Sequence, residues 1–345
     1  MELVYLDYNH SQKINQNVIA TIGQFDGIHI AHQYLINETL RLAKEKNLKS
    51  AIITFDPHPD FLIKKSGNET YVTPLNEKIA FMKKFGFIGA GKMAGAIVRG
   101  MISSGAVKPC EIICACGNDD TGKNLSEQTG ISLAKNIEEL LSSAEIIVAA
   151  CKPQQLAQVA EAAAGARASL LISILAGTTI ARLRECFSHV GKIVRVMPNM
   201  PAQISQGISC FAPESELSDK ELKAVETVLG SIGEYMQTDE NKLDAVTALS
   251  GPGYLFEFAA ALIEGAKNIG FTEEEAKKLT DKTLLGSAML LCKSPLSADE
   301  LRIAVSSPGG TTLAALDVFE KSGFRKTVSD ALKAAQERSR ELSKL

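Results

Sequence analysis

The chain has 345 residues, a formal net charge of -3, 45% hydrophobic residues and 22% charged residues. This balance is typical of a globular protein with two or three ordinary cores, and it lacks the basic excess that binding to nucleic-acid phosphates requires. The longest apolar runs have strand length, well below the roughly 20 residues that span a bilayer. We therefore expect no nucleic-acid partner and no membrane segment.

The seven cysteines have no regular framework spacing. Such scattered cysteines fit a reducing compartment, and no leader pattern opens the sequence, so we expect a cytoplasmic protein. Cys110, Cys114 and Cys116 have a C-x3-C-x-C spacing that is not typical of a zinc site. We interpret them as thiols of a buried strand and predict no metal.

The first segment of the chain predicts a β-α-β unit. Residues 18–23 and 50–55 have the apolar character of parallel strands, and residues 32–46 have an amphipathic helical pattern. His29 and His32 lie where the first strand leads into the helix, so their imidazoles are placed to neutralise phosphate charge. The segment is thus expected to be half of a nucleotide-binding domain.

Two motifs give this segment a family resemblance. Gly23-x-Phe25-Asp26-Gly27-x-His29-x-x-His32 and residues 54–59, TFDPHP, resemble the FMN-adenylyltransferase part of bacterial bifunctional riboflavin kinase/FAD synthetases. The family's H-x-G-H glycine is Ala31 here, and the resemblance ends near residues 73–79, about halfway through that domain. The resemblance implies a partial nucleotidyltransferase-like segment, residues 1–84. We expect it to be inert, with FMN adenylyltransferase activity as the alternative.

A glycine turn marks the start of a second part of the chain. Residues 85–101, FGFIGAGKMAGAIVRGM, predict a buried strand, a G-x-G-x-x-A turn and the start of a helix. This arrangement lets a dinucleotide pyrophosphate approach the backbone at a helix N-terminus. Strand and helix patterns then alternate to residue 197, among them a helix at residues 122–129 and a strand at residues 192–197. This alternation predicts an α/β domain with a doubly wound parallel Rossmann-type sheet over residues 85–239.

The end of the second predicted strand indicates which cofactor this domain binds. The chain reads Cys116-Gly117-Asn118 there, with Asp119 and Asp120 just beyond. An NAD-selective site usually has an acid at this strand end for the ribose hydroxyls. Since the strand end itself carries Gly117 and Asn118, we expect these two residues to contact NADPH, with NADH possible as well.

Three motifs follow in the rest of the chain: residues 194–201, VRVMPNMP; residues 248–254, ALSGPGY; and residues 306–312, SSPGGTT. The third places hydroxyls and glycine amides immediately before a predicted helix. Such a loop can bind a carboxylate, or it can simply cap the helix. The motif by itself leaves both interpretations open.

In this order behind FIGAGKMA and ACKPQ, the three motifs resemble the pyrroline-5-carboxylate reductase family over residues 82–345. The resemblance implies NAD(P)H-dependent hydride transfer to the C=N bond of 1-pyrroline-5-carboxylate, giving proline. It implies substrate or catalytic roles for Glu240, Ser250, Ser307, Gly309, Gly310, Thr311 and Thr312. It implies cofactor contacts at Ile88, Gly89, Ala90, Gly91, Lys92, Met93, Ala94, Asn136, Ala150, Cys151, Lys152, Pro153, Leu175, Ala176 and Gly177.

One loop departs from this family's pattern. The family usually reads S-G-S-G-P-A-Y where this chain reads Ser250-Gly251-Pro252-Gly253-Tyr254, which is shorter by two residues. A displaced loop can move a substrate out of hydride reach. A catalytically impaired dinucleotide-binding fusion is therefore an alternative hypothesis.

Residues 240–345 have a helical pattern throughout. Their Ala- and Leu-rich stretches are more apolar than a surface helix requires. This apolar surface could form the core of a monomeric helical bundle. The resemblance instead implies an all-α substrate and dimerisation domain. We expect a homodimer or a higher homo-oligomer.

Overall fold

The computed structural model describes residues 17–23, 30–46, 48–53, 83–117, 119–163 and 168–342. By its internal contacts the chain divides into two units, Met1–Met82 and Lys83–Leu345. Each unit is described by itself. The predicted domain boundaries after residues 84 and 239 stay predictions.

In the first unit, strands β1 (Val18–Ile22) and β2 (Lys49–Ile53) pair in parallel, and helix α1 (Ile30–Glu45) lies between them in the chain. The core face of α1 includes Ile36 and Ala43, each 3% exposed. The buried Thr39 hydroxyl donates to the Leu35 carbonyl at 2.8 Å, so its polar atom is satisfied within the helix. The predicted β-α-β unit is present, whereas motif residues 24–29 and 54–59 lie outside the described residues.

The second unit contains an eight-stranded sheet with the order β10-β9-β8-β7-β6-β3-β4-β5. Neighbouring strands from β3 to β8 pair in parallel, and β9 and β10 run in the opposite direction. The strands are β3 (Lys83–Ile88), β4 (Ile112–Ala115), β5 (Ser132–Leu133), β6 (Ala144–Ala149), β7 (Leu170–Ser173), β8 (Lys192–Met197), β9 (Gly207–Pro213) and β10 (Gly233–Gln237). Since β3 has β4 on one side and β6 on the other, the strand order reverses at β3, where open α/β sheets bind ligands.

Helices cover both faces of this sheet, and each face has its own apolar core. One core includes Phe85, Ile97 and Val225, and the other includes Ile147, Leu171 and Leu183. The helices are α2 (Lys92–Ser103), α3 (Thr121–Thr129), α4 (Ile137–Ser143), α5 (Leu156–Ala163), α6 (Ile180–Cys186) and α7 (Asp219–Gly230). The doubly wound α/β prediction is confirmed.

The remaining residues form helices α8 (Leu243–Ser250), α9 (Gly253–Asn268), α10 (Glu273–Lys293), α11 (Ala298–Ala304), α12 (Thr311–Lys321) and α13 (Phe324–Leu342). The predicted all-α C-terminal domain is thus confirmed. Local sequence explains several of its boundaries. Thr272 and Glu275 form a capping box at the start of α10. Between α8 and α9, Gly251 is extended and Pro252 has no N–H group, so the helix is interrupted there.

These helices bury little of their apolar surface within one chain. No residue of α9, α11 or α12 is buried, and large side chains such as Leu255, Ile303 and Val318 are 62 to 64% exposed. Within the described residues, one stretch, Glu240–Asn268, is long and apolar enough to span a membrane, and only 6% of its most apolar part is buried. Length and composition alone are weak evidence for a membrane span, because a helix at an oligomer interface can also be long and apolar.

Candidate active site

A glycine turn draws three strand ends together at the point where the sheet order reverses. The Gly89 amide donates to the Ala115 carbonyl at 2.7 Å, and the Ala150 amide donates to the Ile88 carbonyl at 2.8 Å. Gly89 has a φ of 102°, and a Cβ atom there would lie 2.6 Å from the Ala150 carbonyl oxygen. Only glycine fits this conformation and this close approach.

The turn leads into the N-terminus of α2. Gly91 caps the helix without a side chain, and a Cβ atom built on it would have nothing within 4 Å. Ala94 and Ile97 anchor the helix in the core, and Lys92 is exposed at its first position. The first-turn amides therefore face open space that can accept a dinucleotide pyrophosphate. The residues present fit an NADP-type cofactor.

The acid beyond the second strand of this domain is already engaged. The Asp119 carboxylate accepts hydrogen bonds from the Thr121 hydroxyl and, at 3.1 Å, from the Thr121 amide. These bonds hold the pKa of Asp119 below its ordinary value, and the Lys152 ammonium acts in the same direction. Gly117 follows the strand end, where an added Cβ would lie 3.8 Å from Nε2 of Gln155, and Asn118 lies outside the described residues. Asp119 thus caps the start of α3 through its Oδ1.

The other predicted cofactor residues follow successive strands of the same parallel sheet. Ala150, Cys151, Lys152 and Pro153 follow β6, Leu175, Ala176 and Gly177 follow β7, and Asn136 follows β5. The Asn136 side chain accepts from the Glu139 amide at 2.8 Å and so caps α4. Burial raises the pKa of Cys151, which keeps its thiol protonated at neutral pH. The carboxyl ends of parallel strands meet at one edge, where Rossmann-type sheets bind ligands.

The prediction of buried strand thiols holds for Cys114 alone, because Cys116 follows the end of β4 and Cys110 lies in the turn Pro109–Glu111 before it. Cys114 in β4 is buried, Cys116 is half-buried and Cys110 is exposed. Burial raises the pKa of Cys114 to about 11. Across the described ranges, no group of three or more His, Cys, Asp or Glu side chains could hold a metal ion.

Glu240 joins the helical part to the sheet. Its Oε1 accepts from the Ile180 amide, the first of α6, at 2.7 Å, and lies 3.3 Å from Nη1 of Arg195. Arg195 lies within β8 with its side chain only 6% exposed, and its Nη2 lies 3.6 Å from Asp244. Asp244 in turn accepts from the Ser339 hydroxyl at 2.8 Å. We call Arg195, Glu240, Asp244 and Ser339 the Arg195 cluster.

Ser250 is the last residue of α8, and its carbonyl accepts from Nδ2 of Asn199 at 3.1 Å. Asn199 follows the carboxyl end of β8, and its Oδ1 accepts from the Ile208 amide at 3.0 Å. The Ser250 hydroxyl donates back to the Val246 carbonyl at 2.8 Å within the helix. The structure therefore places the Ser250 loop beside the carboxyl edge of the sheet.

The SSPGGTT loop forms a tight turn at the start of α12. The Gly310 amide donates to the Ser307 carbonyl at 2.9 Å, and Gly309 has a φ of 71°. In the described part of the chain, the hydroxyls of Ser307, Thr311 and Thr312 have no hydrogen-bond partner, and Thr312 is half-buried. Apart from the Gly310 amide, the amides and hydroxyls at the start of α12 are thus available to an anion.

The structure connects some of the predicted substrate residues and not others. Hydrogen bonds link Glu240 and Ser250 to the edge of the sheet, but none among the described residues links Ser307–Thr312 to that edge. Arg195 and Asn199 were not among the predicted site residues. A basic residue inside the apolar run IVRVM was the available signal for Arg195, and the polar residue between two prolines was the signal for Asn199.

Three family models match this chain. The FAD synthetase model matches residues 11–90, and the model described as NADP oxidoreductase, coenzyme F420-dependent, matches residues 84–177. The pyrroline-5-carboxylate reductase dimerisation model matches residues 240–342. The two resemblances found in the sequence are confirmed, and the dimerisation match covers the helices whose apolar surface is exposed.

Curated relatives and solved structures agree with these matches. The chain is 34% identical to pyrroline-5-carboxylate reductases of Arabidopsis thaliana, over 75% of this chain and 95% of that protein, and of Escherichia coli, over 76% and 99%. It is similar to the reductase structure from Coxiella burnetii, with a TM-score of 0.70 and 31% identity over 76% of this chain and 100% of that one. The Plasmodium falciparum reductase structure with NADP bound gives a TM-score of 0.67 and 30% identity over 76% and 99%. The chain belongs to the pyrroline-5-carboxylate reductase family.

Proposed function

We propose that this chain reduces the C=N bond of 1-pyrroline-5-carboxylate with NADPH to give proline, and that the predicted site residues carry out this reaction. The observation that carries the proposal is the open glycine turn at Gly89–Gly91, set where the strand order reverses. The helical part with the SSPGGTT loop belongs to the same unit. Together they provide a dinucleotide cradle and a carboxylate-binding loop.

The chain's own residues would act mainly by positioning the substrate. NADPH, when bound, supplies the hydride. The amides of the Gly91 turn would bind its pyrophosphate, and the amides and hydroxyls of Ser307–Thr312 would hold the substrate carboxylate. An imine that arrives protonated requires no acid from the protein. His189 is the only histidine after residue 58 and lies away from the predicted motifs. Orientation and electrostatic stabilisation would therefore account for the rate.

Incubation of the full chain with 1-pyrroline-5-carboxylate and NADPH tests this proposal. Imine-dependent NADPH oxidation with formation of proline is the expected result. NADPH binding without turnover would contradict it and would support the alternative of an impaired dinucleotide-binding fusion.

We expect no membrane or nucleic-acid partner and a cytoplasmic location, which fractionation of cells would check.

The FAD synthetase match motivates a second incubation, with FMN and ATP. The match ends at residue 90, so the chain carries only the first part of an adenylyltransferase domain. A half-site does not enclose both substrates. We expect no FAD, and formation of FAD would show that residues 1–84 are active.

Thr312→Ala is expected to raise the KM for the imine by about 10-fold or more and to leave the Kd for NADPH nearly unchanged. A hydrogen bond to a charged group contributes about 1.5–3 kcal/mol, which corresponds to this change in KM. Steady-state kinetics and a cofactor titration measure the two constants. Thr312→Ser keeps the hydroxyl and should behave like the wild type. An unchanged KM in Thr312→Ala would remove the carboxylate role of this loop.

The exposed apolar helices predict the size of the assembly. Burying a Leu or Phe side chain stabilises by about 1.5–3 kcal/mol, and a second copy offers the same apolar surface. Light scattering should give at least twice the 37.0 kDa chain mass. Ile303→Asp places a charge on this surface and should lower the mass, whereas Ile204→Asp, equally exposed in the sheet-bearing part, should not. A wild-type monomer would contradict this prediction.

A further inference from the structure

The break between α8 and α9 at Gly251 and Pro252 leaves a backbone acceptor without a helical donor. Ser250 ends α8, Gly251 is extended and Pro252 carries no N–H group. The last carbonyls of any helix need partners from outside it. For the Ser250 carbonyl, that partner is the Asn199 side chain, 51 residues away in the chain.

The orientation of the Asn199 amide is fixed from both sides. Its Oδ1 must face the Ile208 amide, which is a donor, so its Nδ2 faces the Ser250 carbonyl. The Asn199 carbonyl also accepts from the Ala202 amide at 3.1 Å, which starts the turn Met200–Ile204. One side chain therefore joins the end of β8, the start of β9 and the end of α8.

We propose that Asn199 is a positioning residue that sets the distance between the Ser250–Tyr254 loop and the carboxyl edge of the sheet. This inference rests on the proposed function, in which the cofactor binds along that edge and the loop borders the imine. In this chain the loop is shorter than the family pattern, so it has fewer residues with which to reach the edge. The Asn199–Ser250 bond fixes its position there, without Asn199 touching the substrate.

Asn199→Asp isolates this bond because it keeps the size and the acceptor of the side chain. The carboxylate still accepts from the Ile208 amide, but it repels the Ser250 carbonyl instead of donating to it. We expect the KM for 1-pyrroline-5-carboxylate to rise about 10-fold at neutral and alkaline pH, with little change in the Kd for NADPH. When the introduced carboxyl is protonated, its O–H group can donate to Ser250 again. The KM should therefore return toward the wild-type value as the pH falls.

Two further variants separate positioning from general destabilisation. Asn199→Ala lacks a titratable group, so its KM relative to wild type should not recover at low pH. Ser231→Ala removes a buried hydroxyl that donates to the Val228 carbonyl at 2.7 Å and has no hydrogen bond to the Ser250–Tyr254 loop among the described residues. It should lower the melting temperature without changing the KM for the imine.

Steady-state kinetics of the full chain across pH, with melting temperatures, complete the test. A selective rise in the imine KM with recovery at low pH supports the inference. With an active wild type, an unchanged KM in Asn199→Asp overturns it, as does a loss without pH recovery that only tracks the melting temperature. An inactive wild type would instead refute the proposed function, and the inference with it.

Discussion

Gly89→Ala is expected to lower the affinity for NADPH by at least about 100-fold. Gly89 has a φ of 102°, and an added Cβ would lie 2.6 Å from the Ala150 carbonyl oxygen. Both obstacles involve backbone, so no side-chain rotation relieves them. The turn has to open, which separates the ends of β3 and β6 and moves the α2 amides away from the pyrophosphate. A loss of about 2.7 kcal/mol corresponds to this factor. A fluorescence titration with NADPH measures it.

Gly91→Ala is the matched comparison. Its Cβ would meet nothing within 4 Å, and Gly91 has an extended backbone that alanine also adopts. The melting temperature of the cofactor-free chain should therefore stay close to that of the wild type, unlike that of Gly89→Ala. NADPH binding should still fall, because the methyl group projects into the space assigned to the pyrophosphate. Wild-type affinity in Gly91→Ala would show that the cofactor does not approach this turn.

Local sequence patterns were sufficient to predict most of the strands and helices of the sheet in the second unit. The strand prediction for residues 192–197 matches β8, and the helix predicted at residues 122–129 differs from α3 by one residue. Strands buried on both faces are continuous apolar runs, and helices have a 3.6-residue period. Both can therefore be predicted from the sequence without knowledge of tertiary contacts. The glycine turn was predicted for the same reason, since its motif follows a strand and opens a helix.

Some of the elements that were not predicted lack such signals, whereas β9, a mostly buried apolar run, and α7, which starts with a capping box, carry them and were missed. β5 has two residues and α4 has seven, which is too short for a period to be recognised. β10, with the sequence GEYMQ, is an edge strand whose residues are mostly exposed. It is held by backbone pairing with β9, and backbone pairing leaves no trace in the side-chain pattern.

The contacts within the site were the least predictable feature. Glu240 was expected to have a substrate or catalytic role, which stays a prediction. In the structure its carboxylate binds the Ile180 amide and Arg195, which are 60 and 45 residues away in the chain. No periodicity specifies such long-range partners, because they depend on how the helical part folds back onto the sheet.

The Arg195 cluster leads to the prediction with the largest expected effect on stability. Arg195→Ala removes a buried cation that lies against the two carboxylates of Glu240 and Asp244. Removing one partner of a buried ion pair destabilises by about 3–5 kcal/mol, since the remaining charge is left without compensation. The Glu240 side chain is 34% exposed, so water screens part of the repulsion and we expect the lower end, about 3 kcal/mol. The denaturant midpoint of unfolding measures this change.

Neutralising the acids should restore part of the loss, because Glu240→Gln and Asp244→Asn, combined with Arg195→Ala, remove the carboxylate charges that Arg195 faces in the wild type. The amides also keep an acceptor for Ile180 and Ser339. Arg338→Ala is the control, since its ion pair with Glu341 is exposed on both sides and exposed pairs contribute little. Equal midpoints for Arg195→Ala and Arg338→Ala would mean that the buried cluster does not hold the helical part on the sheet. In that case the Asn199–Ser250 bond and apolar packing at the end of β8 would have to position the substrate loop by themselves.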